Sequence, residues 1–119
     1  MAWSFNPGIP VYIQIADRLR FSIISGEYPP GSQIPTVRGL AIEAAVNPNT
    51  IQHAYLMLEN SGIIVTKGTL GRFVTDDPDI IEESRHEHAR LIINSFIDTI
   101  TKIGYQKDDI LSMIEEEIK

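Results

Sequence analysis

Tyr12, Ile15, Ala16, Leu19 and Ile23 recur at helical spacing, with Gln14, Asp17, Arg18 and Arg20 off that face, which predicts an amphipathic helix after Pro10. Pro10 suits the first helical position, where its missing N–H is not needed. Gly26 is placed to end the helix in the left-handed conformation. Tyr28-Pro29-Pro30-Gly31 is turn chemistry, and Ser32-Gln33-Ile34 reads as a short strand. Thr36 is the expected N-cap of a second helix from Val37 to about Ala44, with Leu40 and Ala41 inward. A capping box would want Glu or Gln at the position held by Gly39. The link Ala45-Val46 is very short. Asn47 then caps a third helix with Pro48 at its first position and Ile51, Ala54, Tyr55 and Leu58 as its buried stripe, and Gly62 stops it.

The pattern then changes period. Ile63-Ile64-Val65-Thr66 is β-branched and predicts a strand, Lys67-Gly68-Thr69-Leu70-Gly71 a turn, and Arg72-Phe73-Val74-Thr75 the returning strand. Asp76-Asp77-Pro78-Asp79 is a polar joint. Helical spacing resumes from about Ile80 to Ile103, Gly104 closes that helix, and Ile110, Leu111, Ile114 and Ile118 lie on one side of a short final helix. Two helices joined by a tight turn and followed by a hairpin describe a winged helix-turn-helix. The expected fold class is therefore α+β and mostly helical: a winged domain over residues 1–75 and a two-helix region over 76–119.

Composition adds little by itself, since 43% hydrophobic and 22% charged residues over 119 positions are ordinary for a globular chain. Charge is more informative. The net charge of −6 argues against a polyanionic partner, but it is unevenly spread. Residues 1–75 hold five basic side chains against four acids, whereas residues 76–119 hold five against twelve. The two segments therefore have different electrostatic roles. With no cysteine, disulfides and thiolate sites are excluded. No apolar run approaches the ~18–20 residues of a membrane span, and the first residues lack the pattern of a signal peptide. A cytoplasmic protein is expected.

The third helix carries the candidate chemistry. With its stripe turned inward, Asn49, Thr50, Gln52 and His53 lie on the outer side of its first turns. Asn and Gln can pair bidentately with adenine, and Thr can contact a base or the thymine methyl. The helix N-terminus formed by Asn47 and Pro48 favours a phosphate. Arg38 sits in the first turn of the second helix, where a helix-turn-helix crosses the DNA backbone. Thr36 has a hydroxyl for the same purpose, and Lys67 with Gly68 forms the tip of the wing. In the C-terminal region, Ala89, Ile92, Ile93, Phe96, Ile97 and Ile100 are too apolar for an exposed helix. They can be buried by folding back onto the winged domain or by self-association, and self-association is the economical solution with so few residues available.

Residues 10–75 resemble the GntR family of bacterial regulators, and within it the short YtrA-like branch. The resemblance rests on Pro10-Val11-Tyr12-Ile13-Gln14-Ile15-Ala16, Gly26-Glu27-Tyr28-Pro29-Pro30-Gly31, Ile34-Pro35-Thr36-Val37-Arg38-Gly39-Leu40-Ala41, Val46-Asn47-Pro48-Asn49-Thr50-Ile51-Gln52-His53-Ala54-Tyr55 and the wing Lys67-Gly68-Thr69-Leu70-Gly71-Arg72-Phe73-Val74. It implies DNA contacts at Arg38, at Asn47 to Thr50, at Gln52 and His53, and at Lys67 and Gly68. It also implies a homodimer joined by the C-terminal helices, with double-stranded operator DNA as partner and repression as the commoner outcome. Three positions depart from the branch: Gly39 replaces a usual Glu, His53 stands where Arg or Lys is common, and Arg72 where Thr is usual.

Other readings are weaker. Glu82 and His86 are four residues apart and could share a helix face, but His86 and His88 point in different directions, so no metal site is expected. No phosphate-binding Gly-rich loop and no nucleophile–base spacing is present, so neither an enzyme nor a cofactor is expected. A winged helix used only for protein contacts, or as a metal- or ligand-responsive sensor, is the alternative. A small-molecule effector is not identified by these residues, and the short C-terminal region leaves little room for a ligand pocket.

Overall fold

The computed structural model describes residues 2–119. Its order is α1 (Val11–Ile24), α2 (Val37–Ala44), α3 (Pro48–Asn60), β1 (Ile64–Thr66), a 3-10 turn (Gly68–Leu70), β2 (Arg72–Val74), α4 (Pro78–Lys102) and α5 (Lys107–Ile118). The fold is mostly helical with one small sheet. Residues through Arg85 form one compact unit and His86–Lys119 another.

The first unit is built on the apolar stripes of α1 and α3. Ile15, Ala16, Leu19 and Ile23 pack with Ile51, Ala54, Tyr55 and Leu58, and Leu40, Ile63, Ile64, Val74 and Ile81 complete the core. Pro10 does not occupy the first helical position as expected but precedes it as the N-cap. Its carbonyl accepts from the N–H groups of Ile13 and Gln14. Ahead of it, residues 2–9 are also organised. The Gln14 side chain accepts from the Asn6 N–H at 2.9 Å and donates to the Asn6 and Ile9 carbonyls at 2.8 Å each. This holds the segment so that Trp3 and Phe5 pack against the core, and the Arg18 guanidinium lies 3.8 Å from the Trp3 ring centroid.

The helix-turn-helix follows from its caps. Thr36 Oγ1 accepts from the Gly39 N–H at 3.0 Å, and Asn47 Oδ1 accepts from the Asn49 N–H at 2.8 Å. Between them α2 closes in a Schellman pattern: the Ala45 N–H donates to Ile42 O and the Val46 N–H to Ala41 O. That turn puts Ala45 at φ 60°, the single non-glycine residue with positive φ among those described.

β1 and β2 pair antiparallel, with Ile64 opposite Val74 and Thr66 opposite Arg72. The strand expected at residues 32–34 shortens to an isolated bridge between Gln33 and Phe73. Ile34 N–H still donates to Arg72 O, and Val74 N–H to Ser32 O. Pro35 has no N–H to extend the ladder, and Gly31, at φ 77°, turns the chain just before it.

The first unit runs beyond the polar joint at residues 76–79. Ile81 is buried, and Arg85 Nε donates to Ile24 O at 3.0 Å, so the first turns of α4 belong to it. Its N-terminus is set by Thr75, whose Oγ1 accepts from Asp77 N–H, and by Asp77, whose Oδ1 accepts from Asp79 N–H. In the second unit, the rest of α4 ends at Gly104 (φ 108°), and the Gln106 N–H donates to Asp109 Oδ2 at the start of α5. Ile110 is buried, but Ile92, Ile93, Phe96 and Ile97 are each more than 40% exposed. Ala89 is exposed as well, and Ile100 is half-buried.

Ala45 is exposed, so its backbone strain can be relieved without loss of packing. Ala45→Gly is expected to stabilise the protein by about 0.5–1 kcal/mol, read as a higher urea midpoint with an unchanged slope.

Candidate nucleic-acid interface

α3 presents its outer face because its inner one is committed. Ile51, Ala54, Tyr55 and Leu58 are fully buried, which leaves Asn49, Gln52 and His53 exposed, while Thr50 is half-buried at the margin. The polar groups here have unequal freedom. Asn47 Oδ1 is engaged in the cap, as is Thr36 Oγ1, whose O–H can still donate outward. Arg38 is exposed and forms no ion pair among the described residues.

His53 stands against α1. Its imidazole stacks on the Tyr12 ring with centroids 3.6 Å apart and planes 7° apart. Tyr12 belongs to the helical stripe of α1 by spacing, but it is only half-buried and turns a ring face to α3. Leu56 is the other residue that the pattern does not single out. It lies one turn beyond Gln52 and is 52% exposed. A leucine on the outer face of a polar helix start is the sequence signal for it.

The wing is held from both ends. Gln33 Nε2 donates to Leu70 O at 2.9 Å, and the turn closes through Lys67 N–H to Gly71 O and Leu70 N–H to Lys67 O, each at 2.9 Å. Gly71 is required: at φ 113°, a Cβ there would also stand 2.8 Å from Gln33 Nε2. Lys67 Nζ lies 4.8 Å from the Phe73 ring centroid, and Gly68 is exposed beside it. Between the wing and the start of α2 runs a groove of about 290 Å³ lined by residues that include Gln33, Pro35, Thr36, Arg38, Gly71 and Arg72.

Arg72 has an internal role. Its Nε donates to Glu59 Oε1 at 2.6 Å, and its guanidinium sits 5.2 Å from the Tyr55 ring centroid. It thus ties the returning strand to the C-terminal half of α3. Tyr55, fully buried, donates its hydroxyl to Pro35 O at 2.6 Å. Burial pushes its phenol well above the ordinary 10.0.

The acidic and histidine residues of α4 do not converge. Among the described residues no three His, Asp or Glu side chains are grouped as metal ligands would be. Glu82 pairs with Arg85 and Glu87 with Arg90, and the hydrogen bond from Arg90 holds the Glu87 carboxyl below its usual range. Among the described residues no helix is long and apolar enough to cross a membrane.

A capped helix, a left-handed turn, a second capped helix and a glycine-closed hairpin now stand together, and residues 11–74 match the model of the family described as "Bacterial regulatory proteins, gntR family". The chain belongs to the GntR family. Over 111 residues it is 33% identical to the uncharacterized HTH-type transcriptional regulator YhcF of Bacillus subtilis, covering 93% of this chain and 92% of the relative. It is 37% identical over 68 residues to the HTH-type transcriptional repressor YtrA of Bacillus subtilis, covering 57% of this chain and 52% of YtrA. A solved GntR family regulator from Listeria monocytogenes superposes with a TM-score of 0.87 at 34% identity, covering 94% of this chain and 98% of that one. This GntR chain is thus a transcriptional regulator with a DNA-binding helix-turn-helix, not an enzyme.

Since Tyr55 titrates above 10.0 in the folded protein, its neutral hydroxyl stabilises the fold fully below the unfolded value, and that contribution is lost as pH rises beyond it. Urea titrations are expected to show stability falling above about pH 10. Tyr55→Phe is expected to reduce that fall, the rest coming from Tyr28, whose phenol burial also raises, while costing about 1 kcal/mol at neutral pH.

Proposed function

We propose that this GntR chain is a homodimeric repressor that reads a palindromic operator with α3. The observation that carries the reading is the exposed face of Asn49, Gln52 and His53 at the start of a capped helix, flanked by Arg38 and by Lys67 at the wing. In this reading Asn49 and Gln52 touch base edges, and Thr50 reaches a base or a thymine methyl from the margin. The Asn47-Pro48 start, Thr36, Arg38, Lys67 and Gly68 hold the backbone. His53 joins that surface. YtrA carries "repressor" in its name, which favours repression over activation.

The dimer reading rests on α4. Ile92, Ile93, Phe96 and Ile97 form an exposed apolar row, with Ala89 and Ile100 in line with it. Covering that row with the same row of a second copy gives a two-fold assembly, and two-fold symmetry requires a palindromic site. The region of residues 76–119 is then the dimerisation segment, and its excess of acids keeps it off the DNA. No membrane and no cofactor enters this reading. A winged domain used only for protein contacts would share the fold but would associate tightly with itself or a partner and show no salt-dependent DNA binding.

Selection from random duplexes is expected to yield an inverted repeat. Affinity for it should fall steeply between 50 and 200 mM salt. Asn49→Ala or Gln52→Ala should cost about 1–3 kcal/mol per half-site and relax the preference at one position of each half-site. Lys67→Ala should weaken every duplex alike and lower the salt slope by about 2, one for each subunit. Equal, weak binding of selected and scrambled duplexes at low salt would overturn the regulator reading.

Ile93→Asp combined with Phe96→Asp is expected to convert dimer to monomer in sedimentation velocity and to abolish binding of the inverted repeat. A wild-type protein that sediments as a monomer at tens of micromolar would sink the dimer.

A further inference from the structure

The helix geometry separates the residues on the face of α3. Relative to the buried stripe, Asn49 and Leu56 run along the middle of the exposed side, and Gln52 and His53 fall to either side of that line. The His53 side is the one that α1 occupies. One face of the imidazole is covered by the Tyr12 ring at 3.6 Å, nearly parallel. Only its other face and its nitrogen-bearing edge can meet a ligand. Among the described residues, neither His53 nor the Tyr12 hydroxyl has a hydrogen-bond partner, and no carboxylate lies within ion-pair range of His53. A ring stacked in this way cannot swing toward the floor of a groove without leaving Tyr12.

We infer that Tyr12 is a positioning residue for DNA binding: it fixes His53 so that the imidazole edge contacts a backbone phosphate at the flank of α3, not a base. The inference rests on the operator reading above and changes one role within it. Asn49 and Gln52 remain the base readers, and His53 sets register and adds affinity without sequence information. Stacking also settles the ring orientation before binding, so little side-chain freedom is lost on contact. A flat aromatic partner is what this requires, and the hydroxyl of Tyr12 has no part in it.

The test compares wild type with His53→Ala, Tyr12→Leu, Tyr12→Phe and the Tyr12→Leu/His53→Ala double variant. Each is titrated by fluorescence anisotropy against a duplex selected from a random pool and against its scrambled counterpart. His53→Ala and Tyr12→Leu are each expected to weaken both duplexes by the same factor, about tenfold for one hydrogen bond lost in each of two subunits. The double variant should bind as His53→Ala does, and Tyr12→Phe as wild type. In the free protein, the His53 ring-proton NMR signals should move toward unstacked positions in Tyr12→Leu and stay in Tyr12→Phe.

Loss of the selected duplex alone in His53→Ala would make His53 a base reader and overturn the inference. Additive losses in the double variant, or a loss in Tyr12→Phe, would show that Tyr12 does not act through His53 stacking and would overturn it as well. If Tyr12→Leu does not fold, the ratio of the two losses in His53→Ala and the affinity of Tyr12→Phe still decide. Failure of the operator reading itself is visible in the wild type, whereas failure of this inference appears only in the variants.

Discussion

The buried phenol of Tyr55 joins the three parts of the winged domain. Its ring belongs to the apolar stripe of α3, its hydroxyl bonds the Pro35 carbonyl just ahead of α2, and the Arg72 guanidinium of β2 lies over its face. A buried hydroxyl without a partner would be costly, so the ring has one favourable setting, the one in which Pro35 O is within reach. That setting fixes the loop from which α2 starts, and with it the angle between the two helices. Arg72 extends the constraint to the hairpin through Glu59 on the same helix.

A second set of contacts turns a short two-stranded sheet into a rigid wing. Three paired residues per strand would be marginal alone. The Gln33 amide on Leu70 O and the backbone bonds of Ser32 and Ile34 to β2 add support from a segment that is itself held next to α2. The wing tip and the start of α3 are therefore positioned by one connected body, as the two proposed contacts on a single duplex require. The exposed row on α4 is a different case. Charges beside it pair locally, Arg90 with Glu87 and Lys102 with Asp98, while Ile92, Ile93 and Ile97 face outward, so these ion pairs close within the helix and the apolar row stays unburied.

Much of this was legible along the chain. The caps at Thr36 and Asn47, the stripe of α3 and the glycine-punctuated hairpin are local signals, set by backbone chemistry within a few residues. They place the starts of α2 and α3 at Val37 and Pro48, where the structure has them. Pro10 differs by one position, an N-cap and not the first helical residue, because a proline suits both the end of a loop and the first turn of a helix. Residues 32–34 make only a bridge and not a strand, because β-propensity does not reveal how soon Pro35 ends a ladder. The packing of Trp3 and Phe5 carries no periodic signal at all, since it depends on a side chain, Gln14, that belongs to the next element.

The sequence by itself determined which helix faces outward, which residues it offers there, and that acid is concentrated beyond the hairpin. Those follow from period, composition and capping, which are properties of neighbours in the chain. Only the tertiary structure decided what each polar group is free to do. Arg72, which along the chain is only a departure from the family pattern, pairs with Glu59. His53, by spacing an equal of Gln52, lies flat on Tyr12 forty-one positions earlier. Pairings of that kind depend on which elements pack together, and the free energy that selects them is burial of the core, not any preference visible at the residues themselves.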